Sequence, residues 1–213
     1  MSDHEEAIRL LMELRRQGIT DKRVLTAIEK VPREMFVADV FRSEAWHNKA
    51  LPIAQGQTIS QPFIVAYMSQ HLDVGDRMTV LEVGTGSGYQ TAVLSHLARR
   101  VYSIERFRVL SVEARARLDA LGIVNATLKV GDGLKGWPEA APFDRIILTA
   151  WINHHPEVLV RQLKTGGILI MPFGESSDSQ RLVKIERTEA GLTETELIPV
   201  RFVPALEGVA REP

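Results

Sequence analysis

Residues 79–88 read Thr-Val-Leu-Glu-Val-Gly-Thr-Gly-Ser-Gly, an apolar strand that runs directly into three alternating glycines and then into a helix-forming stretch. That order makes a cofactor loop at the head of a strand–helix unit. Glycine is wanted where a turn needs positive φ, or where backbone must approach a bound molecule with no side chain between. Gly84, Gly86 and Gly88 recur at a spacing that suits both demands. The pattern is G-x-G-x-G rather than the G-x-G-x-x-G of dinucleotide sites, and Glu82 stands two residues ahead of the first glycine.

The downstream residues extend the site. A second strand, Val101-Tyr102-Ser103-Ile104-Glu105, ends in an acid 105 − 84 = 21 residues beyond the first glycine. That is close to the roughly 20 expected of a carboxylate that accepts hydrogen bonds from a ribose diol. Arg106 follows directly and joins the candidate cofactor set. A third strand, Ala126 to Val130, ends in Gly131-Asp132-Gly133. A lone acid at a strand end is often just a solvated side chain. Acids or glycine turns at three successive strand ends share one edge of a parallel sheet, which is where open α/β folds bind ligands.

Strands and helices alternate around this loop: Met78–Val83, a helix over about Tyr89–Arg99, Val101–Ile104, a helix to about Leu121, Thr127–Val130, Arg145–Thr149, a helix near Glu157–Leu163, and Gly167–Met171. A polar turn, Gly174 to Gln180, leads to two strand-like runs, Arg181–Arg187 and Thr195–Val203, joined through Ala190-Gly191. The expected fold is α/β, a doubly wound, mostly parallel seven-stranded sheet with N-terminal helices and an antiparallel C-terminal strand pair. The order of the last two strands stays open. Ahead of the sheet, Ile8, Leu11, Met12 and Leu14 lie at near-helical spacing before Gly18, and a second helix starts at Thr20 or Asp21, buries Val24, Leu25 and Ile28, and stops before Pro32. From Phe36 to Gln57 periodicity is lost, but Trp46, Leu51, Pro52 and Ile53 argue for an ordered loop. Ser60 then reads as the N-cap of an apolar helix, with Pro62 in its first turn. Length favours one domain over 1–213, with N-terminal helices and a substrate-side segment (1–77), a cofactor-binding core (78–172) and C-terminal strands (173–213).

With 26 basic and 27 acidic residues the net charge is −1, which offers no electrostatic grip on nucleic acid or on an anionic membrane. Cysteine is absent, so disulfides and thiolate chemistry are excluded, and a reducing compartment fits. The polar, acidic opening Met1-Ser2-Asp3-His4-Glu5-Glu6 is unlike a secretory signal, and no apolar run reaches the roughly 20 residues of a membrane span. The expectation is a cytoplasmic protein with no membrane and no nucleic-acid partner.

The glycine loop with Glu82 resembles the first motif of class I S-adenosylmethionine-dependent methyltransferases. In that class the loop, here Gly84-Thr85-Gly86-Ser87-Gly88, passes under the methionine half of the cofactor and the acid helps hold its α-amino group. An acidic entrance suits a positively charged ligand. The run Ala50-Leu51-Pro52-Ile53-Ala54-Gln55-Gly56-Gln57-Thr58-Ile59-Ser60-Gln61-Pro62 is similar to the substrate-side motif of protein-L-isoaspartate O-methyltransferases. Val31-Pro32-Arg33-Glu34, Gly88-Tyr89-Gln90-Thr91, Pro142-Phe143-Asp144, Leu163-Lys164-Thr165-Gly166-Gly167 and Arg201-Phe202-Val203-Pro204 carry the likeness over almost the whole chain. The resemblance implies that Ser60 is the active-site serine with Gln57 and Thr58 beside it. It also implies that Glu105 binds the ribose hydroxyls and that Asp132 and the Gly133 N–H meet the adenine. The implied reaction is methyl esterification of the free carboxylate of an L-isoaspartyl residue in a damaged peptide or protein, a repair step, in a monomeric enzyme.

After the fourth strand the chain reads Thr149-Ala150-Trp151-Ile152-Asn153-His154-His155-Pro156, where the family carries an Ala-Ala-Pro-like turn. Trp151 is therefore a candidate substrate-side wall or plug, and a changed acceptor or a non-catalytic binding paralogue are the alternatives it raises. His154 and His155 read as an ordinary polar loop rather than a metal site. Val203 is placed on the substrate side, where an extended peptide pairs with the strand near Arg201–Val203.

Overall fold

The computed structural model describes residues 3–210, so Met1-Ser2 of the polar opening, and 211–213, lie outside the described residues. The chain begins with α1 (Asp3–Arg16) and α2 (Lys22–Lys30). α1 buries Ala7, Leu10, Leu11 and Leu14, the i, i+3, i+4, i+7 set of one helix face. Ile8 and Met12, grouped by sequence with that stripe, are 41% and 59% exposed, so the buried face is rotated from the one expected. α2 is capped by Asp21, whose side chain accepts the Arg23 N–H at 2.8 Å. Hydrogen bonding to Arg23 holds that carboxyl below its ordinary range.

Residues 33–57 are ordered, as their apolar content suggested. Two short 3₁₀ turns, Arg33–Phe36 and Asp39–Glu44, are fastened by Arg33, which is fully buried. Its Nε donates to the Ala45 carbonyl at 2.7 Å and its guanidinium carbon lies 4.8 Å from the Tyr89 ring centroid. Burial lowers the Arg33 pKa to about 10, so it remains a cation near neutral pH. Phe36 meets Tyr89 edge-on, with centroids 5.5 Å apart. A small hairpin, β1 (Leu51–Pro52) and β2 (Thr58–Ile59), then delivers the chain to α3 (Pro62–Leu72).

The sheet follows: β3 (Thr79–Val83), α4 (Tyr89–Ser95), β4 (Arg100–Glu105), α5 (Arg108–Ala120), β5 (Ala126–Val130), β6 (Phe143–Leu148), α6 (Glu157–Arg161), β7 (Leu163–Phe173), β8 (Arg181–Thr188) and β9 (Gly191–Pro199). Its order is β5-β4-β3-β6-β7-β8-β9, parallel through β7 and antiparallel for the last two pairings, which resolves the strand order left open by sequence. This is the doubly wound architecture expected. Every residue of β3 is buried, as a central strand covered on both faces requires.

Several boundaries differ from the sequence reading. β7 begins at Leu163 rather than Gly167, because Leu163 already pairs with Phe143 before the register shifts. The preceding helix is correspondingly shorter. β9 starts at Gly191 and stops at Pro199 rather than reaching Val203, because Gln180 takes over. The Gln180 carbonyl accepts the Val200 N–H, its Oε1 accepts the Phe202 N–H, and its Nε2 donates to the Phe202 carbonyl. β9 is the outer edge and is largely exposed, carrying Glu194 and Glu196, which pair with His155 at 2.8 Å and Arg181 at 3.0 Å.

Phe36 joins the irregular N-terminal segment to α4 at a fully buried position, so Phe36→Ala is expected to destabilise the fold by about 3–5 kcal/mol. The control Val124→Ala, at a site 89% exposed, should stay within about 0.5 kcal/mol of the parent. Urea titration followed by circular dichroism measures both, and equal midpoints for the two variants would refute the packing role given to Phe36.

Candidate functional site

The carboxyl-terminal ends of β3, β4 and β6 open on a cleft. On its floor the loop after β3 approaches the chain after β6 closely. Gly84 has φ +97°, and a Cβ there would lie 2.3 Å from Thr149 Oγ1, which donates to the Gly84 carbonyl at 2.6 Å. A side chain there would displace the Thr149 hydroxyl from this bond and strain the positive φ. Gly133 is constrained likewise, since its Cβ would sit 2.4 Å from Val83 Cγ1.

Glu105, 5% exposed at the end of β4, organises the loop from the side. Its Oε2 accepts the Gly86 N–H at 2.8 Å and its Oε1 accepts the Phe107 N–H at 3.0 Å. Each oxygen retains a further lone pair, and the residue lines the cleft, so the carboxylate is able to accept from a diol. Ile104, Phe107 and Leu134 add an apolar wall suited to a flat heterocycle. Arg106 also lines the cleft, with its Nε 3.4 Å from the Gly208 carbonyl, while its own carbonyl accepts the Ala210 N–H. The segment 204–210 is thereby tied across the opening.

Of the sequence-predicted cofactor residues, Gly84, Thr85, Gly86, Glu105, Arg106 and Gly133 line the cleft, and three others do not. Gly88, at φ +91°, starts α4, and a Cβ there would meet Ala114 Cβ at 3.1 Å; it serves helix packing against α5. Asp132 turns back to cap the next turn, accepting the Leu134 N–H at 3.0 Å. Glu82 is wholly buried beneath the loop. Its Oε2 accepts from Thr91 Oγ1 and, at 2.6 Å, from Ser103 Oγ, which in turn lies 2.6 Å from Thr85 Oγ1. Its Oε1 has no partner among the described residues. Glu82 reaches the cleft wall through the Ser103–Thr85 hydroxyl pair rather than directly.

Gln57, Thr58 and Ser60, the residues expected on the acceptor side, line the cleft together with Thr149, Ala150 and Val203. Ser60 is not the cap that the sequence suggests. α3 begins at Pro62 with Gln61 in the cap position, and the Phe63 N–H is accepted by Asn48 Oδ1 at 3.0 Å. Within the described residues no hydrogen bond engages the Ser60 hydroxyl, which leaves it a donor toward the cleft.

Trp151 lies outside the cleft lining. Its Nε1 donates to the Gly174 carbonyl at 3.0 Å, its N–H donates to the Val203 carbonyl at 2.8 Å, and its carbonyl accepts the Ala205 N–H at 2.7 Å. It staples the C-terminal segment in place and neither plugs nor walls the acceptor side. Phe202 and the Val203 carbonyl are engaged within the chain, while no hydrogen bond among the described residues takes up the Arg201 N–H, the Arg201 carbonyl or the Val203 N–H. His155 pairs with Glu194, and His154 Nδ1 lies 3.2 Å from Asn153 Oδ1. Sequence reasoning missed Phe107 and Leu134, although each directly follows a pair already singled out, Glu105-Arg106 or Asp132-Gly133. It also missed Tyr89, Ala205 and Leu206, whose approach depends on long-range packing.

The sequence profile of the family described as protein-L-isoaspartate(D-aspartate) O-methyltransferase matches residues 5–210. The chain is 61% identical over 210 residues to a protein-L-isoaspartate O-methyltransferase of Parvibaculum lavamentivorans, covering 98% of this chain and 95% of that one. It is 54% identical over 213 residues to that of Rhodospirillum centenum, covering 100% and 96%. A solved protein-L-isoaspartate O-methyltransferase superposes with a TM-score of 0.85 at 29% identity, over 93% of this chain and 65% of that longer one. Another, from Plasmodium falciparum in complex with S-adenosyl-L-homocysteine, gives 0.82 at 25% identity over 93% and 97%.

Burial raises the Glu82 pKa to about 8, from an ordinary value of 4.5. Below pH 4.5 the group is protonated in both folded and unfolded chains. Between there and pH 8 only the folded chain holds the proton, so stability falls as pH rises through this window. Glu82→Gln removes that titration. The difference in unfolding free energy between variant and parent is expected to move in favour of the variant by on the order of a few kcal/mol from pH 5 to 8. Denaturant titrations across that range measure it, and a pH-independent difference would mean Glu82 is ionised in the folded protein.

Proposed function

The chain belongs to the protein-L-isoaspartate(D-aspartate) O-methyltransferase family, and we propose how its cleft divides the work of that enzyme. The activity is S-adenosylmethionine-dependent methyl esterification of the free carboxylate of L-isoaspartyl residues in damaged peptides and proteins. When bound, S-adenosylmethionine supplies an electrophilic methyl group on a positively charged sulfur. The cleft suits such a ligand: a bare glycine backbone, a fixed acid at Glu105 and an apolar wall lie together at the strand ends. Gly84, Thr85 and Gly86 cradle the amino-acid half, Glu105 accepts the ribose hydroxyls, and Phe107, Leu134 and the Gly133 backbone border the adenine. Glu82, and through it Thr85, holds the loop from below.

The observation that carries the acceptor assignment is Ser60, a cleft-lining hydroxyl free of the capping duty its sequence context implies. The acceptor is a carboxylate with an unperturbed pKa near 3.9, already ionised at neutral pH, so no general base is required. Ser60 donates to one carboxylate oxygen and turns the other toward the methyl group, and the surrounding walls limit its solvation. Gln57 and Thr58 at the mouth and the Val203 side chain border the isoaspartyl peptide. With Trp151 turned away to Gly174, nothing favours an altered acceptor. Among the described residues no helix is long and apolar enough to cross a membrane. The balanced charge supports action on polypeptides rather than nucleic acid, the lack of cysteine supports a reducing, cytoplasmic setting, and family membership and length support a single-domain monomer.

Incubation with methyl-labelled S-adenosylmethionine and matched isoaspartyl and aspartyl peptides should give base-labile esters on the isoaspartyl peptide alone. Labelling of both, or of neither, would overturn the substrate assignment. Ser60→Ala is expected to lower kcat by about tenfold or more, with the cofactor Kd unchanged. Glu105→Ala should raise the cofactor Kd by on the order of tenfold, read by calorimetry, and a parental Kd in that variant would remove the ribose role.

A further inference from the structure

We infer that Asn48 is a positioning residue for Ser60: by capping α3 from a distant segment it keeps the serine hydroxyl turned toward the acceptor. The inference rests on the role given to Ser60 above.

Pro62 opens α3 and has no N–H, so Phe63 presents the first backbone donor of the helix. Asn48 Oδ1 accepts it at 3.0 Å, and Gln61 Nε2 donates back to the Asn48 carbonyl at 2.9 Å. The two bonds form a reciprocal clasp around the residue that follows Ser60. It resembles a capping box, but with its halves on separate stretches of chain. The orientation of the Asn48 amide is fixed from the other side by α1. Its Nδ2 donates to Glu13 Oε1 at 2.7 Å and to Gln17 Oε1 at 3.2 Å, while Gln17 Nε2 donates to Glu13 Oε1 at 3.1 Å. A flipped amide would set oxygen against the Glu13 carboxylate and NH₂ against the Phe63 N–H, so only one orientation satisfies both sides.

The local competitor for the Phe63 N–H is Ser60 itself. It stands three residues before Phe63, the spacing at which a serine Oγ accepts from the third helical N–H. If Asn48 is removed, that donor is left without its acceptor, and the Ser60 hydroxyl is drawn from the cleft to the helix axis. Asn48 thus decides which of two duties the serine performs. Through Glu13 and Gln17 the first helix of the chain reaches the acceptor side without touching it.

The test is a double-mutant cycle on the full-length enzyme with saturating S-adenosylmethionine and isoaspartyl peptide. Asn48→Ala should lower kcat on the order of tenfold, and the cofactor Kd should stay within about twofold. In the Ser60→Ala background the same change should have no further effect on kcat, because its route of action is gone. A generally loosened fold would instead multiply the two losses. Asn48→Asp combined with Glu13→Gln keeps the acceptor for Phe63 and reverses the polarity of the bond to α1, so it should recover most of the parental kcat. Full kcat in Asn48→Ala, multiplicative losses in the cycle, or failure of the combined variant despite a parental unfolding midpoint would each overturn the inference. If Ser60→Ala is slow but Asn48→Ala is not, only the role of Asn48 falls. If Ser60→Ala is itself fully active, the serine assignment fails and Asn48 has nothing to position.

Discussion

The cleft hangs on the carboxylate of Glu105. Placed at the last residue of β4, it gathers the Gly86 N–H from the loop after β3 and the Phe107 N–H ahead of α5. Two backbone donors that would be poorly placed for water are satisfied by one acid, and a charge-assisted bond to each is stronger than a neutral one. The acid is consequently held in place before any ligand arrives. The close approaches at Gly84 and Gly133 complete this arrangement, because they leave room for the Thr149 hydroxyl and the Val83 side chain against the loop backbone.

The acceptor half is built on a different logic. No regular strand supports it; a two-residue hairpin and a pair of 3₁₀ turns do. Their rigidity comes from polar groups that reach across the chain: Arg33 to the Ala45 and Lys49 carbonyls, Asn48 to Glu13 and Phe63, Gln61 to Asn48. Trp151 performs a similar service on the far side, pinning residues 203–205 with two backbone hydrogen bonds while its indole is held by the Gly174 carbonyl. The cofactor half is thus shaped by the sheet, and the acceptor half by a network laid over it.

This division explains what was legible in the sequence. The parallel sheet, the glycine loop and Glu105 follow from local rules of periodicity, strand-end position and spacing. Ser60 reads as a cap because its neighbours obey the local capping rule, and the residue that displaces it lies 60 − 48 = 12 positions upstream in a segment with no periodicity. Asp132 and Gly88 sit within the expected motifs, yet the Asp132 side chain is directed by the Leu134 N–H and the Gly88 backbone is packed against Ala114. The bulk of Trp151 suggested an obstruction, but direction, not size, decides that. The face of α1 was misread because Ile8 and Met12 are as apolar as the residues actually buried, and only the partner surface distinguishes them.

The acidic outer strand β9 gains meaning from the enzyme's substrates. An aged polypeptide in need of repair is often partly unfolded, with open backbone looking for a partner, and an unguarded sheet margin would be a natural place for it to stick. Glu194 and Glu196, each anchored to a neighbouring basic side chain, line that margin. Charged side chains on an exposed edge strand disfavour pairing with another chain, so this margin of the sheet is guarded against open backbone.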